Sequence, residues 1–78
     1  MNSPSPLAMP SEWQQRLTPR EAEIVNCLLR GWDNQLVAEH LGVALGTVKK
    51  HLQNIFGKLG VDGRAALIFQ AACNREPS

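Results

Sequence analysis

The sequence lacks an apolar run near the roughly 20 residues needed to span a bilayer, and it lacks the basic-then-apolar start of a signal peptide. These absences predict a cytoplasmic protein. Only two cysteines occur, Cys27 and Cys73, and neither belongs to a CxxC or Cys/His cluster, which argues against a zinc site or a disulfide framework. No nucleophile–base pair and no phosphate-cradling glycine loop stands out. We therefore expect no enzyme, no cofactor and no metal.

Length and charge set further bounds. A chain of 78 residues forms one small domain that buries only about 60% of its unfolded surface, so extra stability from a partner subunit is expected. The net charge is +1, but its distribution is uneven, because acids outnumber bases between positions 18 and 41. Between positions 44 and 64 a single acid, Asp62, stands against four bases, Lys49, Lys50, Lys58 and Arg64. Positive charge thus lies in the later part of the chain, as contact with a phosphate backbone requires.

The chain is organised around the stretch from Leu41 to Leu59. Its apolar residues recur at intervals of four, three and four, which predicts one buried helical stripe made of Val48, Leu52, Ile55 and Leu59. Lys49, Lys50 and Gln53 lie on the opposite side of this predicted helix. Gly42 is predicted to end a preceding short helix in the left-handed conformation. A short helix, a glycine turn and a second helix with a basic outer face form the helix-turn-helix pattern.

The first part of the chain predicts a linker or tail and then a short lead-in helix. Positions 1–10 are rich in Pro and Ser and are expected to be a disordered linker or tail. A linker would follow a receiver or ligand-binding domain, and a tail would belong to a complete small regulator. Ser11 is predicted to cap a short lead-in helix, with Gln14 reaching back and with Trp13 and Leu17 as apolar anchors.

The next signal is the run Thr18-Pro19-Arg20-Glu21, which predicts a capped helix start. The helix would continue through an apolar face to an end at Arg30-Gly31. Glu21 and Glu23 diverge on a helix, so capping and a solvated face explain them better than paired catalytic acids do.

Three further features complete the pattern. Asp33 or Asn34 is predicted to cap a helix from 35 to 41, and Asn34 as a phosphate ligand is an equal alternative to a plain cap. Trp32 is interpreted as a lid on the core. A final helix is predicted for about 63–72, with more apolar surface than one stripe needs, which favours a subunit contact. Positions 74–78 are interpreted as a frayed tail, so the domain is expected to span 11–73.

Over about positions 17–71 the chain resembles the LuxR-type (GerE-like) DNA-binding domain. This domain is a four-helix output module of bacterial response regulators, including those of two-component systems, and of quorum-sensing regulators. The resemblance implies an all-α, compact four-helix bundle with a central helix-turn-helix. It rests on residues spread over the whole length: Leu17-Thr18-Pro19-Arg20-Glu21, Glu23, Gly31, Asn34, Ala38, Leu41-Gly42-Val43, Thr47-Val48-Lys49, His51, Lys58-Leu59-Gly60-Val61 and Arg64.

The resemblance implies a sequence-specific transcription regulator that inserts the helix around 45–59 into the major groove of double-stranded DNA. Lysine can donate to guanine and glutamine can pair with adenine, so the residue types fit independently. The implied DNA-contacting residues are Thr47, Lys49, Lys50, His51, Gln53, Asn34 and Lys58. His51 lies beside the apolar stripe and is expected to hydrogen-bond structurally or to a phosphate.

Members of this family usually dimerise through the last helix, which here implies contacts by Arg64, Leu67, Ile68 and Ala71 in a homodimer on DNA. RNA polymerase is a further implied partner, whereas no membrane and no small-molecule ligand of this domain is expected. Three departures from the family pattern bear on affinity: Ala44 stands at the cap of the recognition helix, Gly46 and Gly57 lie within it, and Leu45 exposes an apolar group. A protein-contact module that titrates another regulator is the alternative function.

Overall fold

The computed structural model describes residues 9–73, which form five helices. They are α1 (Ser11–Arg16), α2 (Pro19–Leu29), α3 (Asn34–Leu41), α4 (Leu45–Leu59) and α5 (Arg64–Cys73). No strand occurs within this range, so the predicted all-α fold with a central helix-turn-helix is confirmed. The predicted tail at 74–78 and most of the predicted linker, residues 1–8, lie outside the described residues.

The short helix α1 precedes the four predicted helices and docks through its aromatic residue. Trp13 and Leu17 are buried, as predicted for the two anchors, and Met9 packs partly buried against the same core. The predicted capping role of Ser11 is wrong, because Ser11 is the first helical residue and Pro10 takes the cap position without a side-chain hydrogen bond. The Trp13 amide instead donates to the Pro10 carbonyl at 3.0 Å.

The start of α2 is a capping box, as the sequence predicts. The Glu21 amide donates to Thr18 Oγ1 at 3.1 Å, and the Thr18 amide donates to Glu21 Oε1 at 3.0 Å. Two otherwise unpaired amides are satisfied in this way, with Pro19 at the first helical position. The helix ends at Leu29 with Arg30 as its C-cap, followed by Gly31 with a φ of 88°.

Replacing Thr18 by alanine is expected to lower the free energy of unfolding by about 1 kcal/mol, because the Glu21 amide loses its acceptor. Urea unfolding followed by circular dichroism measures the change. Ser11→Ala is the matched control, since Ser11 forms no cap and should change stability by less than about 0.5 kcal/mol. Equal effects of the two substitutions would contradict the capping role of Thr18.

The helix-turn-helix consists of α3, a turn at Gly42 and α4. Asp33 caps α3, since its Oδ1 accepts the Leu36 amide at 2.9 Å, and Gly42 ends the helix with a φ of 69°. The N-cap of α4 is Ala44, which offers no side-chain acceptor. The turn therefore follows the predicted geometry, and α4 begins without the side-chain cap that stabilises α2 and α3.

The core lies where α2, α4 and α5 meet under α1 and α3. Its fully buried members include Ile24, Leu28, Val48, Ile55 and Leu67. The predicted stripe on α4 is buried throughout, with exposed fractions of 0–7%. Cys27 is buried in the same core, and its burial raises the pKa of the thiol. Within residues 9–73 no helix is long and apolar enough to cross a membrane.

Candidate nucleic-acid interface

The outer face of α4 is a solvent-exposed polar surface. Thr47, Lys49, Lys50 and Gln53 are all exposed, while Val48 and Leu52 between them point into the core. This division follows from the helical repeat, which sets residues three or four apart on one side. Both lysines can donate to phosphates or to guanine, and Gln53 can pair with adenine. We name Thr47, Lys49, Lys50 and Gln53 the α4 polar face.

Two glycines flank this face. Gly46 and Gly57 are exposed, and a Cβ added at either position would meet no atom of the domain within 4 Å. The packing of the domain therefore does not require glycine at these positions. Each costs up to about 1 kcal/mol of helix stability relative to alanine.

The structure places Lys58 away from the other predicted contact residues. Its Nζ donates to Glu21 Oε1 at 2.7 Å and so links the last turn of α4 to the first turn of α2. The Glu21 side chain is only 7% exposed, whereas that of Lys58 is 41% exposed. Lys58 therefore has an intramolecular partner that its position in the sequence did not indicate.

The Glu21 carboxylate is the one strongly buried charged group among the described residues. Burial by itself raises the pKa of its carboxyl group. The hydrogen bond from Lys58, the bonds from Thr18 and the Lys58 charge outweigh that effect, so the pKa of Glu21 lies below its ordinary value. The folded state thus favours the ionised form.

This lowered pKa predicts a loss of stability in acid. A carboxyl group with a depressed folded-state pKa stabilises the fold above its unfolded pKa of about 4.3 and loses that contribution as the pH falls through the folded value. Urea midpoints of the wild type and of Glu21→Gln should differ at pH 7 and converge as the pH drops below about 4. A difference that stays constant over the whole pH series would contradict this prediction.

Arg64 is the second intramolecular link. Its Nη1 donates to the Trp32 carbonyl at 2.7 Å, and its Nη2 donates to Asn34 Oδ1. The guanidinium group therefore joins the start of α5 to the start of α3. Asp33, rather than Asn34, serves as the cap, and the Asn34 side-chain oxygen accepts from Arg64. A phosphate could be bound only by the Asn34 side-chain nitrogen, which is the donor of that amide.

An open groove of about 460 Å³ lies beside this link. Its lining includes Asn34, Leu45, Lys49 and Arg64, so one lysine of the α4 polar face reaches the start of α3. Trp32 also lines the groove and packs its ring edge-on against His40, with the ring centroids 5.2 Å apart. It lies partly buried against the core, which agrees with its interpretation as a lid. His51 is half-buried beside the apolar stripe.

The last helix divides its apolar residues between two sides. Leu67 and Ala71 are buried in the domain's own core, and Ile68 is half-buried. Phe69 is 67% exposed, with Ala65 and Ala72 exposed one turn to either side. The apolar surface open to a partner is therefore centred on Phe69, whereas two of the residues predicted for that contact fill the core.

Two of these features had a signal in the sequence that the prediction did not use. Glu21 is in phase with Ile24, Val25 and Leu28, at the spacing of a buried helical stripe, so its burial could be predicted. Phe69 is out of phase with Leu67 and Ala71, which predicts its exposure by the same rule. The pairing of Glu21 with Lys58 spans 37 positions and has no local signal.

Comparison with known proteins places the chain in a family. Residues 15–71 match the family model GerE, described as bacterial regulatory proteins, luxR family. Over 62 residues, or 78% of the chain, it is 42% identical to the probable transcriptional regulatory protein SgaR of Hyphomicrobium methylovorum, and it covers 29% of that protein. It is 46% identical over 52 residues, or 67% of the chain, to the monoamine regulon transcriptional regulator of Klebsiella aerogenes, and it covers 23% of that protein.

The chain thus spans less than one third of the length of these relatives. The matched region contains all of α2, α3 and α4, with the capping box and the glycine turn described above. Sequence match and helical arrangement agree over the same residues. The chain belongs to the luxR family of bacterial regulatory proteins and carries that family's helix-turn-helix domain.

Proposed function

We propose that this chain is the DNA-binding domain of a bacterial transcription regulator, with α4 inserted into the major groove. The observation that carries the proposal is the division of α4 into a buried apolar stripe and the exposed α4 polar face. A helix anchored on one side can present Lys49, Lys50 and Gln53 to base edges and phosphates at little cost in ordering. Bacterial chromosomal DNA lies in the cytoplasm, and the proposed function assigns the domain to that compartment.

An amide NMR titration with a mixed-sequence duplex tests the proposal. Shifts should centre on Thr47 to Gln53, stay small on α2, and shrink when salt is raised, because the affinity for phosphates falls with salt. Flat spectra at low salt would contradict DNA binding and would favour the protein-contact alternative. Shifts confined to α5 would also contradict DNA binding through α4 and would favour the protein-contact alternative.

We further propose that two copies bind two-fold related half-sites through α5. Phe69 supports this proposal, because an aromatic side chain that is 67% exposed on an apolar helix face gains stability when a partner covers it. The buried positions of Leu67 and Ala71 leave Ala65, Phe69 and Ala72 as the contact surface, with Ile68 at its edge.

Replacing Phe69 by serine should leave the fold intact and weaken the dimer on DNA. The substitution removes one phenyl ring from each copy, and the burial of each ring is worth about 1.5 to 3 kcal/mol, or about 10- to 150-fold per ring in the association of the second copy. Sedimentation velocity with a duplex carrying two half-sites measures the stoichiometry, and a one-half-site duplex is the internal control. Unchanged two-to-one complexes would refute a dimer contact centred on Phe69.

A further inference from the structure

The ion pair between Glu21 and Lys58 joins the scaffold to the candidate reading helix. Glu21 Oε1 accepts both the Thr18 amide at 3.0 Å and Lys58 Nζ at 2.7 Å. The capping box needs only the first of these bonds. The second bond therefore adds a connection between α2 and α4 that helix capping does not explain.

This connection differs in kind from the rest of the α4 packing. Val48, Leu52, Ile55 and Leu59 hold the helix by apolar contacts, which are not directional. A charge-assisted hydrogen bond at 2.7 Å is directional and short. It acts on the last turn of a helix that is about 22 Å long, and so it constrains the orientation of the whole α4 polar face.

The burial of Glu21 makes the constraint strict. A carboxylate that is 7% exposed is costly to leave without its partner, because little water can replace the lost ammonium group. The Lys58 side chain is 41% exposed and could reach solvent, yet its Nζ donates a hydrogen bond to Glu21 Oε1. The buried Glu21 carboxylate therefore keeps the ion pair formed, even though Lys58 is itself partly exposed.

We infer that Glu21 and Lys58 are positioning residues that set the angle at which α4 meets DNA, and that Lys58 acts through Glu21 and not on a phosphate. This inference rests on the proposed DNA-binding function. Neither residue touches the DNA in this mechanism. Their effect on affinity comes from the orientation of Gln53 toward base edges, a contact that leaves the number of neutralised phosphates unchanged.

Glu21→Gln separates positioning from direct contact by the sign of its effect. Glutamine keeps an oxygen for the Thr18 amide but removes the charge that holds Lys58. If Lys58 bound a phosphate, its release from Glu21 would leave affinity unchanged or raise it. If the pair positions α4, affinity falls by about 2- to 30-fold. Glu23→Gln is the matched control, because it removes an equal charge from an exposed site on the same helix, and its surface pairs with Arg20 and His40 contribute little.

Lys58→Met supplies the second readout through the salt dependence of binding. Loss of a phosphate contact lowers the slope of log affinity against log salt by about 0.9, whereas a misoriented helix lowers affinity at an unchanged slope. Lys50→Met is the matched control on the same helix and should lower the slope. Fluorescence anisotropy with one duplex over a salt series measures all variants against the wild type.

Residual dipolar couplings of the free domain test the positioning without DNA. The angle between α2 and α4 should change in both Glu21→Gln and Lys58→Met and stay at the wild-type value in Glu23→Gln. Three results would each overturn the inference. The first is an unchanged angle between α2 and α4 in the two variants, and the second is a salt slope lowered by about 0.9 in Lys58→Met. The third is DNA binding by Glu21→Gln that is as tight as binding by Glu23→Gln. A wild type that binds no duplex would instead refute the proposed function, and the couplings alone would then decide about positioning.

Discussion

Replacing both Lys49 and Lys50 by alanine is expected to lower DNA affinity by at least about 30-fold, because each lysine contributes about 1 kcal/mol or more to a base or phosphate contact. Both side chains are exposed on the α4 polar face and have no role in the core. The slope of log affinity against log salt should fall by about 0.9 for each phosphate contact that is lost. Fluorescence anisotropy at two salt concentrations measures both quantities.

The matched control is the double variant Arg16→Ala and Arg20→Ala. It removes the same charge from exposed positions on α1 and α2, outside α4. Long-range attraction to the duplex changes equally in both double variants, so only a local contact can make them differ. Equal losses of affinity in the two double variants would contradict a groove-reading role for α4. Long-range electrostatic attraction to the duplex would then explain both losses.

Ile55→Ala is expected to lower the free energy of unfolding by about 2 to 5 kcal/mol. Ile55 is fully buried on the apolar stripe of α4, so its truncation leaves a cavity between that helix and the scaffold. A core of this size rarely supplies more than about 3 to 5 kcal/mol in total, and so the variant should be largely unfolded near its former melting temperature and marginal at 25 °C. Urea unfolding followed by circular dichroism and tryptophan fluorescence measures the loss.

Leu45→Ala is the control for this substitution. Leu45 lies on the same helix but is 37% exposed, so its truncation should cost less than about 1 kcal/mol. Ile55→Val removes one methylene and should fall between the two, at about 0.5 to 1.5 kcal/mol. A loss for Leu45→Ala as large as that for Ile55→Ala would contradict the assignment of the core side of α4.

The two sides of α4 thus predict separable phenotypes. Variants of the α4 polar face should lose DNA affinity at unchanged stability, whereas variants of the apolar stripe should lose stability first. Glu21 and Lys58 belong to both groups under the positioning inference, because Glu21 is buried and the pair is proposed to orient α4. Their variants should change both properties, with the salt slope preserved.

Local signals in the sequence predicted the positions of the helices well. The capping box of Thr18 and Glu21, the left-handed turn at Gly42 and the buried stripe of α4 are all present as predicted. Each depends on residues within about one helical turn of one another or on a simple repeat. The prediction for Ser11 failed because Ser and Gln at capping spacing also fit inside a helix, and Pro10 before them took the cap position.

The sequence by itself determined the helix order, the helix-turn-helix and the face of α4 that points to solvent, because periodicity and capping are local. Only the tertiary structure decided which polar side chains are free to meet a partner. It paired Lys58 with Glu21 across 37 positions and Arg64 with Asn34 across 30, and it turned Leu67 and Ala71 into the core. A polar or apolar side chain is stably placed in such a position only where another helix supplies the group that it contacts. That helix is distant in the sequence, so no local pattern encodes the contact.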